Sequence, residues 1–131
     1  MRTSLITGLL IATSFSMACS FVARGPDDYR NDTESLVSSK NADIKRCYDA
    51  ALVSDANVGG DVVVNFTVEK KTGTIINPAV DADRTTAPAE LGECIVQAID
   101  GLVLDPFDRR DGLATFSWTF KANPPPPAPE A

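Results

Sequence analysis

The sequence predicts an α+β fold in the order α-β-β-α-β. The sheet is three-stranded and antiparallel in the order 2-1-3, with two helices on one face joined by a disulfide. Three observations carry this expectation. Residues 61–69 and 113–121 alternate apolar and polar side chains with a period of two, the pattern of antiparallel strands covered on one side. Ile44, Cys47, Tyr48, Ala51 and Leu52, and again Leu91, Cys94, Ile95, Ala98 and Ile99, recur at i, i+3, i+4, i+7 and i+8, the apolar stripe of an amphipathic helix. Both stripes carry a cysteine at the same place, so each cysteine points inward, where two helices lying on one sheet can be stapled.

Residues 1–18 read as a secretory signal peptide. Arg2 supplies a positive start, and Leu5 to Met17 is apolar apart from small Thr, Ser and Gly residues. That run suits a signal-peptide core and is too short for a spanning helix of about 20 residues. An uncleaved anchor is the alternative, and no stop-transfer pattern follows. Ser16-Met17-Ala18-Cys19 satisfies the small-residue rule of ordinary signal peptidase. It also resembles a bacterial lipobox with Cys19 as the acylated residue, departing from it at Ser16, where leucine is usual. Three cysteines leave one over if Cys47 pairs with Cys94, and lipidation of Cys19 accounts for the odd one. A free Cys19 on a soluble exported protein is the other reading.

Residues 19–39 are expected to be a lipidated N-terminus and flexible tether. They are broken by Gly25-Pro26 and carry Asp27, Asp28, Asp32 and Glu34, a composition that reads as disordered. A flexible stretch of this length spans on the order of 25 Å, which keeps the following domain near a membrane.

Residues 40–122 form the expected domain. The first helix is the Ile44–Leu52 stripe. In the first strand Val62, Val64, Phe66 and Val68 face one way, and Val63, Asn65, Thr67 and Glu69 the other. Lys70-Lys71-Thr72-Gly73 reads as a hairpin loop leading into a second strand at 74–80. Pro78 has no N–H to give a ladder, so that strand belongs at an edge. Pro88 opens the second helix and Gly101 stands where a helix terminates. A right-handed crossover then lays the last strand beside the first. In it Ala114, Phe116, Trp118 and Phe120 alternate with Thr115, Ser117, Thr119 and Lys121, and the aromatic row is expected in the core. A Cys47–Cys94 bridge would close a loop of nearly 50 residues, worth about 4 kcal/mol in the chain-entropy picture; two buried free thiols are the alternative. Residues 123–131 are a Pro-rich tail, expected in polyproline II.

Composition excludes several functions. The net charge is −6, and loss of Arg2 with the signal peptide takes it to −7. The basic runs are only pairs, Lys45-Arg46, Lys70-Lys71 and Arg109-Arg110, so neither a nucleic-acid backbone nor polybasic docking on lipid is expected. With no histidine, the commonest general base and every Cys-His or Ser-His pair are missing. Two cysteines cannot complete a zinc site. Asp81 and Asp83, and Asp105, Asp108 and Asp111, lack the calcium-loop spacing and read as solvated turns. No catalytic residue, metal or cofactor is expected.

The run Gly60-Asp61-Val62-Val63-Val64-Asn65-Phe66-Thr67-Val68 followed by Gly73-Thr74-Ile75 resembles the "G-x-V-x-V-x-F-x-V … G-x-V/I" hairpin of the TonB/TolA-like C-terminal domains. Leu104-Asp105-Pro106-Phe107, Gly112 and Phe116-Ser117-Trp118-Thr119-Phe120 resemble the "F-P-x-P … G … F-x-F" close of the same class. Ile44-Lys45-Arg46-Cys47-Tyr48 and Leu91-Gly92-Glu93-Cys94-Ile95 resemble the paired cysteine helices of the AgmX/PglI C-terminal domain family. The resemblance implies this fold and a habit of pairing with extended peptides by strand addition. Transducers of the TonB type have an uncleaved anchor and a long Pro-rich span, absent from this reading, so their energy coupling is not implied.

The expected function is therefore a non-catalytic, envelope-tethered protein-interaction domain. It would be anchored through Cys19, facing the periplasm, at the outer membrane in preference to the inner. Its partner would be a protein or peptide bound at the outer edge of the last strand, through the backbone of Thr115, Ser117 and Thr119, with Lys121 the only charged guard. A self-associating structural component of an envelope or motility complex, such as a homodimer through the same edge, is the alternative. A soluble periplasmic hydrolase is the reading with least support.

Overall fold

The computed structural model describes residues 24–122. The expected signal peptide, Cys19 and the Pro-rich tail 123–131 lie outside the described residues. The elements are α1 Pro26–Ser38, α2 Asn41–Ser54, β1 Gly60–Val68, β2 Ile75–Val80, α3 Ala89–Ile99 and β3 Gly112–Phe120. The three strands form one sheet in the order β2-β1-β3, both pairings antiparallel. Fold class and strand order are those expected.

The chain departs from expectation before α2. The stretch expected to be a tether contains α1, so the order is α-α-β-β-α-β. Pro26 occupies the first turn and Asp27 and Asp28 follow it, which suits a helix start whose N–H groups are unpaired and whose dipole favours acids. Tyr29, Thr33, Leu36 and Val37 repeat at i, i+4, i+7 and i+8. Thr33 and Val37 are buried, and Tyr29 and Leu36 pack against the core. Four contacts on one face order a segment whose average composition is that of a spacer, because tertiary packing outweighs composition.

The central strand explains most of the core. Val62, Val64, Phe66 and Val68 of β1 are buried under Ile44 and Cys47 of α2 and Leu91, Ile95 and Ile99 of α3. Cys47 and Cys94 are bonded, with Cα atoms 5.8 Å apart, so α2 and α3 are joined covalently where they pack. Pro88 stands at the start of α3, and Gly101, with φ of 76°, follows its C-cap Asp100.

β2 is a short, irregular edge. Asn65 pairs with Ala79 and Thr67 with Ile76, so Phe66 faces both Asn77 and Pro78. This bulge takes Asn77 to φ 52° and places Pro78, which cannot donate, where the ladder is already interrupted. Beyond β2, the segment 81–87 runs along the same side of β1. Asp81 N–H donates to the Val63 carbonyl at 2.8 Å, and Thr86 and Ala87 N–H donate to the Asp61 carbonyl. The N–H groups of Asp61 and Val63 donate to the hydroxyls of Thr86 and Thr85. Val63 is buried although it lies on the face away from the helices.

The aromatic row of β3 corrects another expectation. Phe116, Trp118 and Phe120 face the helices and pack against the core, but all three are only partly buried. β3 lies at the margin of the sheet, where helix cover thins. Stacking holds the row: Tyr48 on Phe120 at 4.9 Å, Phe66 on Phe116 at 5.8 Å, and Phe116 beside Trp118 at 6.1 Å between ring centroids.

Candidate partner-binding edge

β3 pairs with β1 along its whole length, from Val68 with Gly112 to Gly60 with Phe120. On β1, Asp61 and Val63 turn their N–H and C=O groups toward the 81–87 segment. Successive residues of an antiparallel strand bond in opposite directions. Gly60, Val62, Val64, Phe66 and Val68 therefore bond to β3 through their register partners Phe120, Trp118, Phe116, Ala114 and Gly112. The main-chain groups of Leu113, Thr115, Ser117 and Thr119 point the other way. Among the described residues no backbone bond is made to them.

The side chains at these positions do not cover the edge. Thr115 Oγ1 bonds Asn65 Oδ1 at 2.6 Å and Thr119 Oγ1 bonds Asp61 Oδ1 at 2.7 Å, both across to β1 on the open face of the sheet. Thr115, Ser117 and Thr119 are exposed, and Leu113 is 84 % exposed. No charged side chain lies within Gly112–Phe120; Lys121 follows the strand and is exposed. An edge of this kind is a template for another strand. The opposite margin has Pro78, a bulge and the covering segment 81–87.

Alternation along β3 puts these residues on one face and carries no sign of what stands beside the strand. A groove of about 740 Å³ opens between α1 and the start of β3, with Pro26, Tyr29 and Thr33 on one wall and Ala114 and Phe116 on the other. The one signal for it in the sequence, outweighed by the spacer-like composition, is Pro-Asp-Asp followed by Tyr29, Thr33, Leu36 and Val37 at helical spacing. Arg24 pins α1 in place. Its side chain is 3 % exposed, with Nε bonded to Asp32 at 2.6 Å and Nη1 to the Pro106 carbonyl and to Asp108 at 3.3 Å. Burial alone would lower the pKa of this guanidinium, but its bonds to Asp32 and Asp108 outweigh that and hold it above the ordinary value. Burial also raises the pKa of the Tyr29 phenol. Thr33 lies close to it but spends its own proton on the Tyr29 carbonyl at 2.6 Å. The Tyr29 hydroxyl is left buried without a hydrogen-bond partner among the described residues.

Of the acids singled out in the sequence, Asp81, Asp108 and Asp111 make side-chain bonds within the fold. Asp81 Oδ1 accepts the N–H groups of Asp83 and Arg84, and its Oδ2 takes the Arg84 guanidinium and the Asn65 amide. The Arg84 bond is the main reason its pKa lies below the ordinary carboxylate value. Asp108 holds Arg24, and Asp111 accepts the Lys70 N–H at 2.8 Å. Among the described residues no three His, Cys, Asp or Glu residues gather as metal ligands, and no helix is long and apolar enough to cross a membrane. Comparison with protein-family models, with curated proteins and with solved structures finds no match to this chain.

Proposed function

We propose that the chain is a non-catalytic, envelope-tethered interaction domain that binds an extended peptide or envelope partner by adding a strand to β3. One observation carries this reading. The backbone of Thr115, Ser117 and Thr119 forms a long, uncharged margin without a partner among the described residues, while the other margin of the sheet is bulged and covered. Main-chain bonds give such a site its affinity, and alternate side-chain pockets its specificity. The resemblance of the hairpin, the aromatic close and the cysteine helices to TonB/TolA-like and AgmX/PglI C-terminal domains supports the same mode. The bonded cysteines suit an exported protein. Acylation at Cys19 would hold the domain at the membrane, on the periplasmic side of the outer membrane.

A photo-reactive side chain at Ser117, with a control at Asn77, tests the reading in cells. Cross-links from Ser117 alone, mapping to an extended segment of another envelope protein, are expected. Equal cross-linking from both positions, or from neither, would sink it. Cross-links from Ser117 to Ser117 of a second copy would favour the alternative, a self-associating assembly component. The absence of charge in β3 makes that pairing admissible, since no like charges are brought together.

A further inference from the structure

We infer that the groove between α1 and β3 is the specificity pocket of the edge, taking one large apolar side chain of the added strand with a carboxylate beside it. This rests on the strand-addition reading above. Side chains of a fourth strand paired with β3 would alternate between the two faces, as those of β3 do. Those on the helix side would continue the row Ala114, Phe116, Trp118, Phe120. In that row Ala114 is the one small residue, and it is there that the groove opens. The neighbouring strand would lie about 4.8 Å from β3, under the wall made by Pro26, Tyr29 and Thr33. An aromatic or long aliphatic residue at that position fills space that Ala114 leaves. It would cover apolar surface on Tyr29 and Phe116, both only partly buried.

The charge around the groove differs in sign from the chain. The protein carries a net −6, yet four arginines and only two aspartates line this groove. The aspartates are committed, Asp108 to Arg24 and Asp111 to the Lys70 N–H, and Arg24 is itself spent on Asp32 and Asp108. Arg30 meets Asp27 only at 3.9 Å, with both side chains largely exposed, a contact worth little. Arg110 is exposed as well. Arg30 and Arg110 are therefore placed to meet an acidic group next to the inserted side chain. One wall of the pocket is α1, which precedes β1 and is no part of the hairpin.

The test is selection from a displayed library of ten-residue peptides with randomised alternate positions. The target is the exported chain with Cys19→Ser and its disulfide formed. Binders should need the edge, failing on Thr119→Lys. They should be enriched in aromatic or large aliphatic residues at one position, with Asp or Glu adjacent. Ala114→Leu, which fills the groove without touching the free backbone groups, should weaken a synthetic binder at least tenfold. The surface double variant Arg30→Glu with Arg110→Glu should shift selection from acidic to basic neighbours. Edge-dependent binders of flat composition, held within twofold by Ala114→Leu and unchanged by the charge reversal, would overturn the pocket and leave strand addition standing. Failure to select any edge-dependent binder would overturn both.

Discussion

The Tyr29 hydroxyl occupies the place that a side chain at Gly112 would take. A Cβ built on Gly112 collides with the Tyr29 Oη and its ring. This contact joins α1, the element hidden in an apparent spacer, to the first residue of the edge strand. Gly112→Ala should therefore expel the ring and destabilise the domain by about 1–3 kcal/mol, the usual cost of overpacking, in urea unfolding. Tyr29→Phe keeps the ring and removes a buried hydroxyl that has no partner among the described residues. It should leave stability unchanged or raise it by up to about 1 kcal/mol. A loss in Tyr29→Phe as large as that in Gly112→Ala would show that the hydroxyl is bonded after all.

The disulfide should contribute much of the stability of so small a core. Cys47 and Cys94 are separated by 47 positions, and a cross-link over such a loop is worth about 4 kcal/mol in the chain-entropy picture. Urea unfolding with and without reductant measures it, and non-reducing peptide mapping should recover the linked peptides. Two thiols freely alkylated in the native exported protein would contradict the pairing.

The legible parts of the fold were those in which one period dominates. In β1 Val62, Val64, Phe66 and Val68 recur at every second position, with Val63 the one apolar residue on the other face, and in α2 and α3 the cysteine stripes repeat at helical spacing, so their buried faces were readable. Pro78 marked an edge correctly, because a missing N–H has few places in a sheet. α1 was not legible as a helix from composition, since its acids and Gly25-Pro26 outweigh Tyr29, Thr33, Leu36 and Val37 in any average. The partial exposure of Phe116, Trp118 and Phe120 was also hidden. Alternation tells which side chains share a face, and not how far the helices extend over it. The hydroxyls of Thr86 and Thr85 take the N–H groups of Asp61 and Val63, a non-local arrangement that no periodicity encodes.

Acid should weaken the fold at the 81–87 segment. Asp81 has its pKa lowered below the ordinary 3.8 by its bond to Arg84. A carboxylate held low in the native state adds stability above its unfolded value, and that contribution is lost as pH falls through the native one. The wild type should lose stability between pH 5 and pH 2, and Asp81→Asn should lose less over the same range. The two substitution states compared by urea unfolding at each pH settle it; parallel curves would remove Asp81 from the acid response.

The exported chain should begin at Cys19 and carry lipid there. Ala18 precedes Cys19, and the other two cysteines are bonded to each other. Labelling cells with an alkyne fatty acid should mark the wild type and not Cys19→Ser, and the variant should leave the membrane fraction. An unlabelled wild type, with Cys19→Ser still in the membrane fraction, would refute acylation.

Amide hydrogen exchange offers the most direct view of the proposed binding edge. β3 bonds β1 through alternate residues, and an amide exchanges slowly only while its bond holds. In dilute protein the amides of Ala114, Phe116 and Trp118 should therefore exchange slowly, and those of Thr115, Ser117 and Thr119 quickly. The contrast should be sharpest between Phe116 and Ser117, in the middle of the strand, where fraying does not contribute. Raising the protein concentration separates the two functional readings. A margin kept for a different partner stays fast, whereas self-association slows Thr115, Ser117 and Thr119 in step with dimer formation. Uniformly slow exchange along β3 at low concentration would mean that the margin is already covered, and strand addition at this edge would have to be abandoned.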